Sequence, residues 1–269
     1  MKLLSDARRL LHRAGIDVTR WPHRPEDGVI DWALSEVLKS REINCAIDVG
    51  GNRGLFARRL RELGYVGRIV SFEPSPTVLP VIQAAAAGDP DWIVRPVALS
   101  SEPGRAELRL HEGPELDSLL DALPGVVDQI PDMSGTGTAT ITLSTLAAEF
   151  PDVIAGIDEP RVLLKSDTQG YEAEVIRGAG KEGLFPSVVA VLVELAAQPI
   201  YRNQPGMTTV MELIMADGFN PVAFEPWFQS SDGLRAVELD ALFLRPARSG
   251  PDWGKPDWAK TRASSAPAA

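Results

Sequence analysis

The chain has 269 residues, 44% hydrophobic and 24% charged, enough for one large core or two small ones and ordinary for a globular protein. Acids outnumber bases by 37 to 27, a formal charge of −10 that opposes a phosphate backbone and argues against nucleic acid as a partner. The single cysteine, Cys45, excludes an internal disulfide and a zinc-binding thiolate cluster, and fits a buried thiol better than a nucleophile.

Residues 2–14 read as a short amphipathic helix, with Leu3, Leu4, Ala7, Leu10 and Leu11 on one side and Arg8, Arg9 and Arg13 on the other. It is expected to pack on its own domain, since a membrane role is not favoured. The start of the chain lacks the apolar stretch of a secretion signal, and no segment is long and apolar enough to span a bilayer, so the expected location is cytoplasmic. A link containing Pro22 and Pro25 leads to a second helix over 29–39, and residues 1–42 are expected as a helical extension.

The pattern then changes. Residues 45–49 are a short apolar run ending in glycines, as a buried strand would be. Residues 55–63 have helical period, with Leu55, Phe56, Leu60 and Leu63 inward and Arg58, Arg59 and Arg61 on the solvated side. A second strand is expected over 68–72, a helix over 76–87 with Pro76 in its first turn, and a third strand over 92–99. This alternation predicts an α/β fold, a mostly parallel sheet wound on both faces. The middle departs from it: 106–110 alternates, 116–130 is ambiguous, 135–137 reads as loop, and 138–143 as a half-exposed strand. The alternation resumes with a strand over 162–166, a helix over 171–179, a strongly apolar strand over 188–193, and a helix over 207–217 stopped by Gly218. A closing pair of strands over 219–224 and 239–244 completes it. Residues 43–246 thus read as one domain. Residues 247–269 are rich in Pro, Ser and Ala and contain Pro-Asp-Trp-Gly-Lys followed by Pro-Asp-Trp-Ala-Lys, which predicts a flexible tail.

The chemistry-bearing stretch is Asp48-Val49-Gly50-Gly51-Asn52-Arg53-Gly54. Glycines between a strand and a helix let the backbone turn tightly and approach a ligand, and the helix start offers free N–H groups. Glu73, at the end of the second strand, stands where a doubly wound fold receives ribose hydroxyls. NAD proteins share that feature. A carboxylate at Asp48 would lie close to their pyrophosphate, whereas it suits the amino group and sulfonium of S-adenosylmethionine, which is therefore the favoured cofactor.

The run Val162-Leu163-Leu164-Lys165-Ser166-Asp167-Thr168-Gln169-Gly170-Tyr171-Glu172 resembles the signature of FkbM-type methyltransferases. The Asp48–Gly54 loop is similar to the family's glycine loop. The Phe72-Glu73-Pro74 motif, the Ala98-Leu99-Ser100 stretch with Gly104, and Val191 to Glu194 also match, and Ser144 departs from the usual Asp. The resemblance implies a class I methyltransferase fold, Rossmann-like with an antiparallel closing strand. It implies S-adenosylmethionine held by Asp48, Gly50, Gly51, Asn52, Gly54, Glu73, Pro74, Ala98 and Asp167, and methyl transfer to a hydroxyl of a sugar, glycan, glycolipid or polyketide acceptor. A homo-oligomer is compatible with it.

Several roles stay open from the residues alone. Asp167 and Glu194 end consecutive predicted strands and can converge on Mg²⁺ or Mn²⁺ holding the acceptor oxygen. Otherwise Asp167 is a direct base or a helix cap, and Glu194 a structural hydrogen-bond partner. Lys165, on the same strand face as Asp167, can steady an oxyanion or pair with an acid. His111, in the segment expected over the site, is a candidate base or a plain surface histidine. Tyr171 and Glu172 are read as supporting residues, and Trp227 and Phe228 as an apolar wall or core. The competing functions are an NAD-linked oxidoreductase, for which no catalytic Tyr-x-x-x-Lys is present, and an inactive cofactor-binding partner protein.

Overall fold

A computed structural model describes residues 28–229 and 234–246; the helix expected over 2–14 and the tail expected over 247–269 lie outside the described residues. The first half runs α1 (Val29–Ser40), β1 (Cys45–Val49), α2 (Leu55–Glu62), β2 (Arg68–Phe72), α3 (Leu79–Ala86) and β3 (Trp92–Arg95). The middle comprises β4 (Ala98–Leu99), β5 (Gly104–His111), α4 (Pro124–Val127) and β6 (Gly135–Ser144). Then come α5 (Leu146–Ile154), β7 (Val162–Ser166), α6 (Glu172–Arg177), β8 (Val188–Ala196), α7 (Met207–Ala216), β9 (Asn220–Gln229) and β10 (Ala236–Leu244).

Seven strands form the main sheet in the order β3-β2-β1-β7-β8-β10-β9. Neighbours from β3 to β8 pair in parallel, and β10 pairs antiparallel with both β8 and β9. This is the class I methyltransferase arrangement, α/β and doubly wound. Strand alternation sorts the apolar side chains between two cores. Cys45, Ile47, Val49, Leu164 and Val193 point to α5, α6 and α7, whereas Ala46, Leu163 and Leu192 point to α1, α2 and α3. Helix α1 is part of the second core: Ile30 and Leu34 are fully buried, and Glu225 of β9 accepts a hydrogen bond from the Ile30 N–H at 2.8 Å. Strand order reverses beside β1, so the crevice for a ligand opens at the carboxyl ends of β1, β2 and β7.

Some expectations are corrected. Leu55, expected inward, is 68% exposed, because the buried stripe of α2 runs through Phe56, Ala57 and Leu60. The helix expected from Pro76 begins at Leu79, and Pro80 rather than Pro76 occupies its first turn. The strand expected over 92–99 is two strands in different sheets. Pro96 has no N–H for the ladder, and the chain leaves the main sheet there. Residues 135–137, expected as loop, open β6, which pairs antiparallel with β5 and parallel with β4 in a second, three-stranded sheet. That sheet and the segment joining β5 to β6 lie over the crevice.

Candidate active site

A cavity partly open to solvent lies over the strand ends. Its floor is made by strand ends: Val49 and Gly50 at the end of β1, Phe72, Glu73 and Pro74 at the end of β2, and Asp167 to Gln169 after β7. Leu108 and Ile141 of the second sheet and Pro114 to Asp117 roof it, Ala98 and Leu99 close one side, and Glu194 and Trp227 stand at the far end. The cavity therefore crosses the sheet from β2 over β1 and β7 to β8 and β9.

At the β2 end both oxygens of Glu73 are held. Glu73 is 6% exposed; Oε2 accepts from the Asn52 N–H and Oε1 from the Ser75 N–H, both at 2.7 Å. Burial pushes its pKa up to about 7, against the pull of those two bonds. Asn52, at φ 43°, also donates from Nδ2 to the Pro114 carbonyl at 3.0 Å, which ties the loop to the roof. Gly50 is required because the loop crosses β7 closely: at its φ of 77° a Cβ would lie 1.8 Å from the Asp167 carbonyl oxygen. Gly51 packs against Ile82 and Ser71, and Gly54, at φ 80°, packs against the Trp92 ring. Those two expected cofactor contacts are thus absent from the cavity wall, because neighbouring side chains fill the space beside them.

Asp48 is also off the wall. It is fully buried under the loop, where Oδ2 accepts from the Ser71 hydroxyl at 2.8 Å and Oδ1 faces the Lys165 ammonium at 3.3 Å. The Trp92 indole N–H donates to the Ser71 oxygen at 3.0 Å. Lys165, expected at an oxyanion, instead holds this layer together. Its Nζ donates to the Gly50 carbonyl at 3.1 Å and lies 3.4 Å from Asp167 Oδ2. Burial pulls its pKa down, but Asp167 and Asp48 outweigh that, so the net shift is upward and the ammonium persists. The register explains the convergence: Asp48 sits opposite Ser71 on β2 and Lys165 on β7, so all three point to the same face.

Asp167 occupies the middle of the cavity floor, its side chain 38% exposed. Gln169 Nε2 donates to Asp167 Oδ1 at 3.3 Å and to Glu194 Oε2 at 2.9 Å, so one amide bridges the two carboxyls. The Tyr201 hydroxyl lies 2.9 Å from both Gln169 Oε1 and the Leu116 carbonyl. Gln169 has φ 54°, a left-handed conformation that favours glycine, and it is held there by its neighbours. Glu172 Oε1 accepts from the Thr168 N–H at 2.8 Å and hydroxyl at 3.0 Å and from the Gly170 N–H at 3.2 Å, and Ser118 donates to the Gln169 carbonyl at 2.7 Å.

Glu194 is 4% exposed and lies inside β8, two residues before its end, rather than closing the strand as expected. Burial, then the charges of Asp167, Glu238, Glu172 and Asp240, drive its pKa well up. The expected Mg²⁺ or Mn²⁺ site does not fit: the space between Asp167 and Glu194 is taken by the donor amide of Gln169 and, on the Asp167 side, by the Lys165 ammonium. Among the described residues no group of three or more His, Cys, Asp and Glu side chains is arranged to hold a metal. His111, expected near the reaction, faces a second shallow pocket with Arg53, Thr77 and Val81. The reason is the roof itself: Asp117 accepts the His111 N–H at 2.9 Å and the Ser75 hydroxyl at 2.8 Å, which turns the end of β5 away from the floor.

The structure thus brings Gly50, Asn52, Glu73, Pro74, Ala98, Asp167 and Glu194 to one cavity. Sequence reasoning missed Gln169, Tyr201 and Glu238, whereas the covering segment expected around His111 is present as the roof. Gln169 stood inside the most specific motif, and its Gln-Gly pair was the available signal.

The family described as "Methyltransferase FkbM domain" matches residues 48–221. Among curated proteins none matches. Solved structures align at low identity. An Aeropyrum pernix fibrillarin with bound S-adenosyl-L-methionine aligns at 12% identity and TM-score 0.41, covering 79% of this chain and 74% of that one. A Listeria monocytogenes protein described as a putative S-adenosylmethionine-dependent methyltransferase aligns at 10% and 0.43, covering 80% and 100%. A Geobacter metallireducens precorrin-6y C5,15-methyltransferase aligns at 10% and 0.41, covering 85% and 93%. Among the described residues no helix is long and apolar enough to cross a membrane.

Proposed function

We propose that this chain, which belongs to the FkbM methyltransferase family and is an S-adenosylmethionine-dependent methyltransferase, transfers the methyl group to a hydroxyl of a small, sugar-like or polyketide-type acceptor. The observation that carries the reading is the course of the cavity, from Glu73 at the β2 end to Glu194 and Trp227 at the far end, with Asp167 on its floor between them.

The residues at the β2 end fit the cofactor. Glu73 presents a carboxylate to the cavity with lone pairs left for ribose hydroxyls, and Phe72, Leu99 and Leu108 supply apolar wall for an adenine. Gly50 and Asn52 present loop backbone for the methionine end. The bound cofactor supplies an electrophilic methyl and its own leaving group. The protein's task is then alignment and removal of one proton. Asp167 is the carboxylate placed for that proton. Gln169 and Lys165 fix its two oxygens, so its position is set before the acceptor arrives. Leu108, Ile141 and the Pro114–Asp117 roof keep water from competing for the methyl. Trp227, 53% exposed at the far end, offers an aromatic face for a ring-shaped acceptor.

The test is transfer from methyl-labelled S-adenosylmethionine to a panel of hydroxylated acceptors, with the labelled product read by carbon NMR. A methoxy resonance supports the reading. A label found on nitrogen or carbon of the true acceptor overturns it.

A further inference from the structure

The far end of the cavity is rich in acid and poor in counter-charge. Glu194 stands on its wall, joined to Asp167 through Gln169; Asp240 of β10 pairs opposite it, and the charges of Glu172 and Glu238 also act on it. Glu238 is 1% exposed, and neither of its carboxyl oxygens has a hydrogen-bond partner. The charges that weigh most on Glu194 and Glu238 are negative ones from this same group. The neighbouring cations are engaged elsewhere. Lys165 is held by Asp48, Asp167 and the Gly50 carbonyl, and Arg59 is ion-paired with Asp31.

A buried carboxyl without a donor is costly, and several together repel when ionised. Such a group is a poor way to stabilise a fold. It is a sound way to receive a cation, because the ligand then brings the charge and the donors that the protein omits. A metal ion does not suit it, since its oxygens are not arranged around a common centre and Gln169 occupies the junction. An ammonium does suit it. Its N–H donors need acceptors only on one side, and the Glu194 carboxyl, which has one amide donor, offers its remaining lone pairs from the wall. Glu238 acts through its charge.

We propose that the acceptor carries a protonated amine close to the hydroxyl to be methylated, as in an amino alcohol or aminosugar, and that its ammonium docks at Glu194. The proposal rests on the O-methyl reading above and names its substrate class. It also gives the regiochemistry a cause. An amine held as ammonium has no lone pair to attack, so it positions the neighbouring oxygen over Asp167 while remaining unmethylated itself. Proton balance follows: carboxyls held neutral by burial release protons as the ammonium arrives.

The experiment uses full-length enzyme saturated with S-adenosylhomocysteine. Calorimetry compares trans-2-aminocyclohexanol with cyclohexanol, and glucosamine with glucose, in buffers of different ionisation heat. One amine or both should bind at least about ten-fold tighter than the neutral partner, as for a hydrogen bond to a charged group. Binding should release protons near neutral pH, and the pair that discriminates tells an amino alcohol from an aminosugar. Glu238→Gln should shrink that preference while leaving S-adenosylhomocysteine affinity unchanged. Equal affinity within both pairs overturns the proposal, and so does failure of both amines to bind. The wild-type comparison stands even where the variant does not fold. Failure of S-adenosylhomocysteine itself to bind strikes the parent reading instead.

Discussion

The two ends of one cavity are built on opposite principles. At the β2 end, charges are matched before any ligand arrives: Glu73 accepts two backbone N–H groups, and Asp48 meets Ser71 and Lys165. At the β8 end, Glu194 has one amide donor and Glu238 has none. The first arrangement suits a cofactor of constant shape, which a rigid, satisfied frame binds at little reorganisation cost. The second leaves electrostatic work for the acceptor. The comparison also separates support from chemistry. Lys165 holds the Gly50 carbonyl and buried Asp48 and pairs with Asp167 Oδ2, so it steadies the base from within the frame.

The strongest way to break this division is Asp167→Asn. The amide keeps the shape of the side chain and loses the charge and basicity. Turnover should fall about 10² to 10⁴-fold, the usual range for a lost general base, while S-adenosylhomocysteine affinity measured by calorimetry stays near wild type. Chelators should leave wild-type activity unchanged, because the Asp167–Gln169–Glu194 arrangement has no place for an ion. An equal loss of cofactor affinity would move Asp167 into the β2 half.

Lys165→Met tests the frame itself. Removing the ammonium leaves Asp48 buried with the Ser71 hydroxyl as its remaining donor. Breaking a buried pair in this way costs about 3–5 kcal/mol, to be read from urea denaturation. Adding Asp48→Asn should restore part of the loss. Intact stability with a selective loss of turnover would return Lys165 to the oxyanion role that its position in the sequence suggested.

What the sequence disclosed follows the same division. The β2 half comes from two adjacent strand ends, and its elements announce themselves locally. Residues 45–49 and 68–72 are apolar runs closed by Gly or Glu, and both strands were legible to the residue. The far half is assembled from segments distant in sequence. Gln169 meets Glu194 across β7 and β8, and Tyr201 reaches Gln169 and the roof at Leu116. No local pattern encodes such contacts. Residues 116–130 stayed ambiguous for the same reason: they become short turns of helix held by long-range bonds, such as Leu123 N–H to the Ile200 carbonyl. Asp48 misled because a carboxylate at a loop mouth reads as a ligand, and strand register alone reveals that it points beneath the loop to Lys165. His111 misled because histidine is the usual choice for a general base, while nothing local showed which way β5 would end.

Glu73→Ala sharpens the β2 side at a smaller scale. If the carboxylate takes the ribose hydroxyls, its loss removes bonds to a charged group and should weaken S-adenosylhomocysteine binding about ten-fold to a hundred-fold. Turnover at saturating cofactor should stay close to wild type, the reverse of the Asp167→Asn pattern. Unchanged affinity would leave Glu73 as a purely structural acceptor for the Asn52 and Ser75 N–H groups.

The smallest effect separates the two ends by pH. Burial first, and neighbouring acids second at the β8 end, raise the carboxyls: Asp240 to about 6, Glu73 to about 7 and Glu238 to about 8. In the unfolded chain such groups titrate near about 4. Below that value both states are protonated, and the stability these groups contribute is fully present. As pH rises, the unfolded chain releases protons that the folded protein still holds, so the contribution is lost until pH passes the folded-state value. Each group weakens the fold as pH rises through its own window. The unliganded enzyme should therefore lose stability from about pH 4 to about pH 8, with Glu194 and Glu238 holding their protons longest. Glu238→Gln should flatten the upper part of that profile and leave the lower part to Glu73 and Asp240. Denaturant midpoints measured across the range decide it. A profile already flat in the wild type would mean that the carboxyls at the β8 end are ionised and paired in the folded protein, and the contrast between the two ends of the cavity would then be lost.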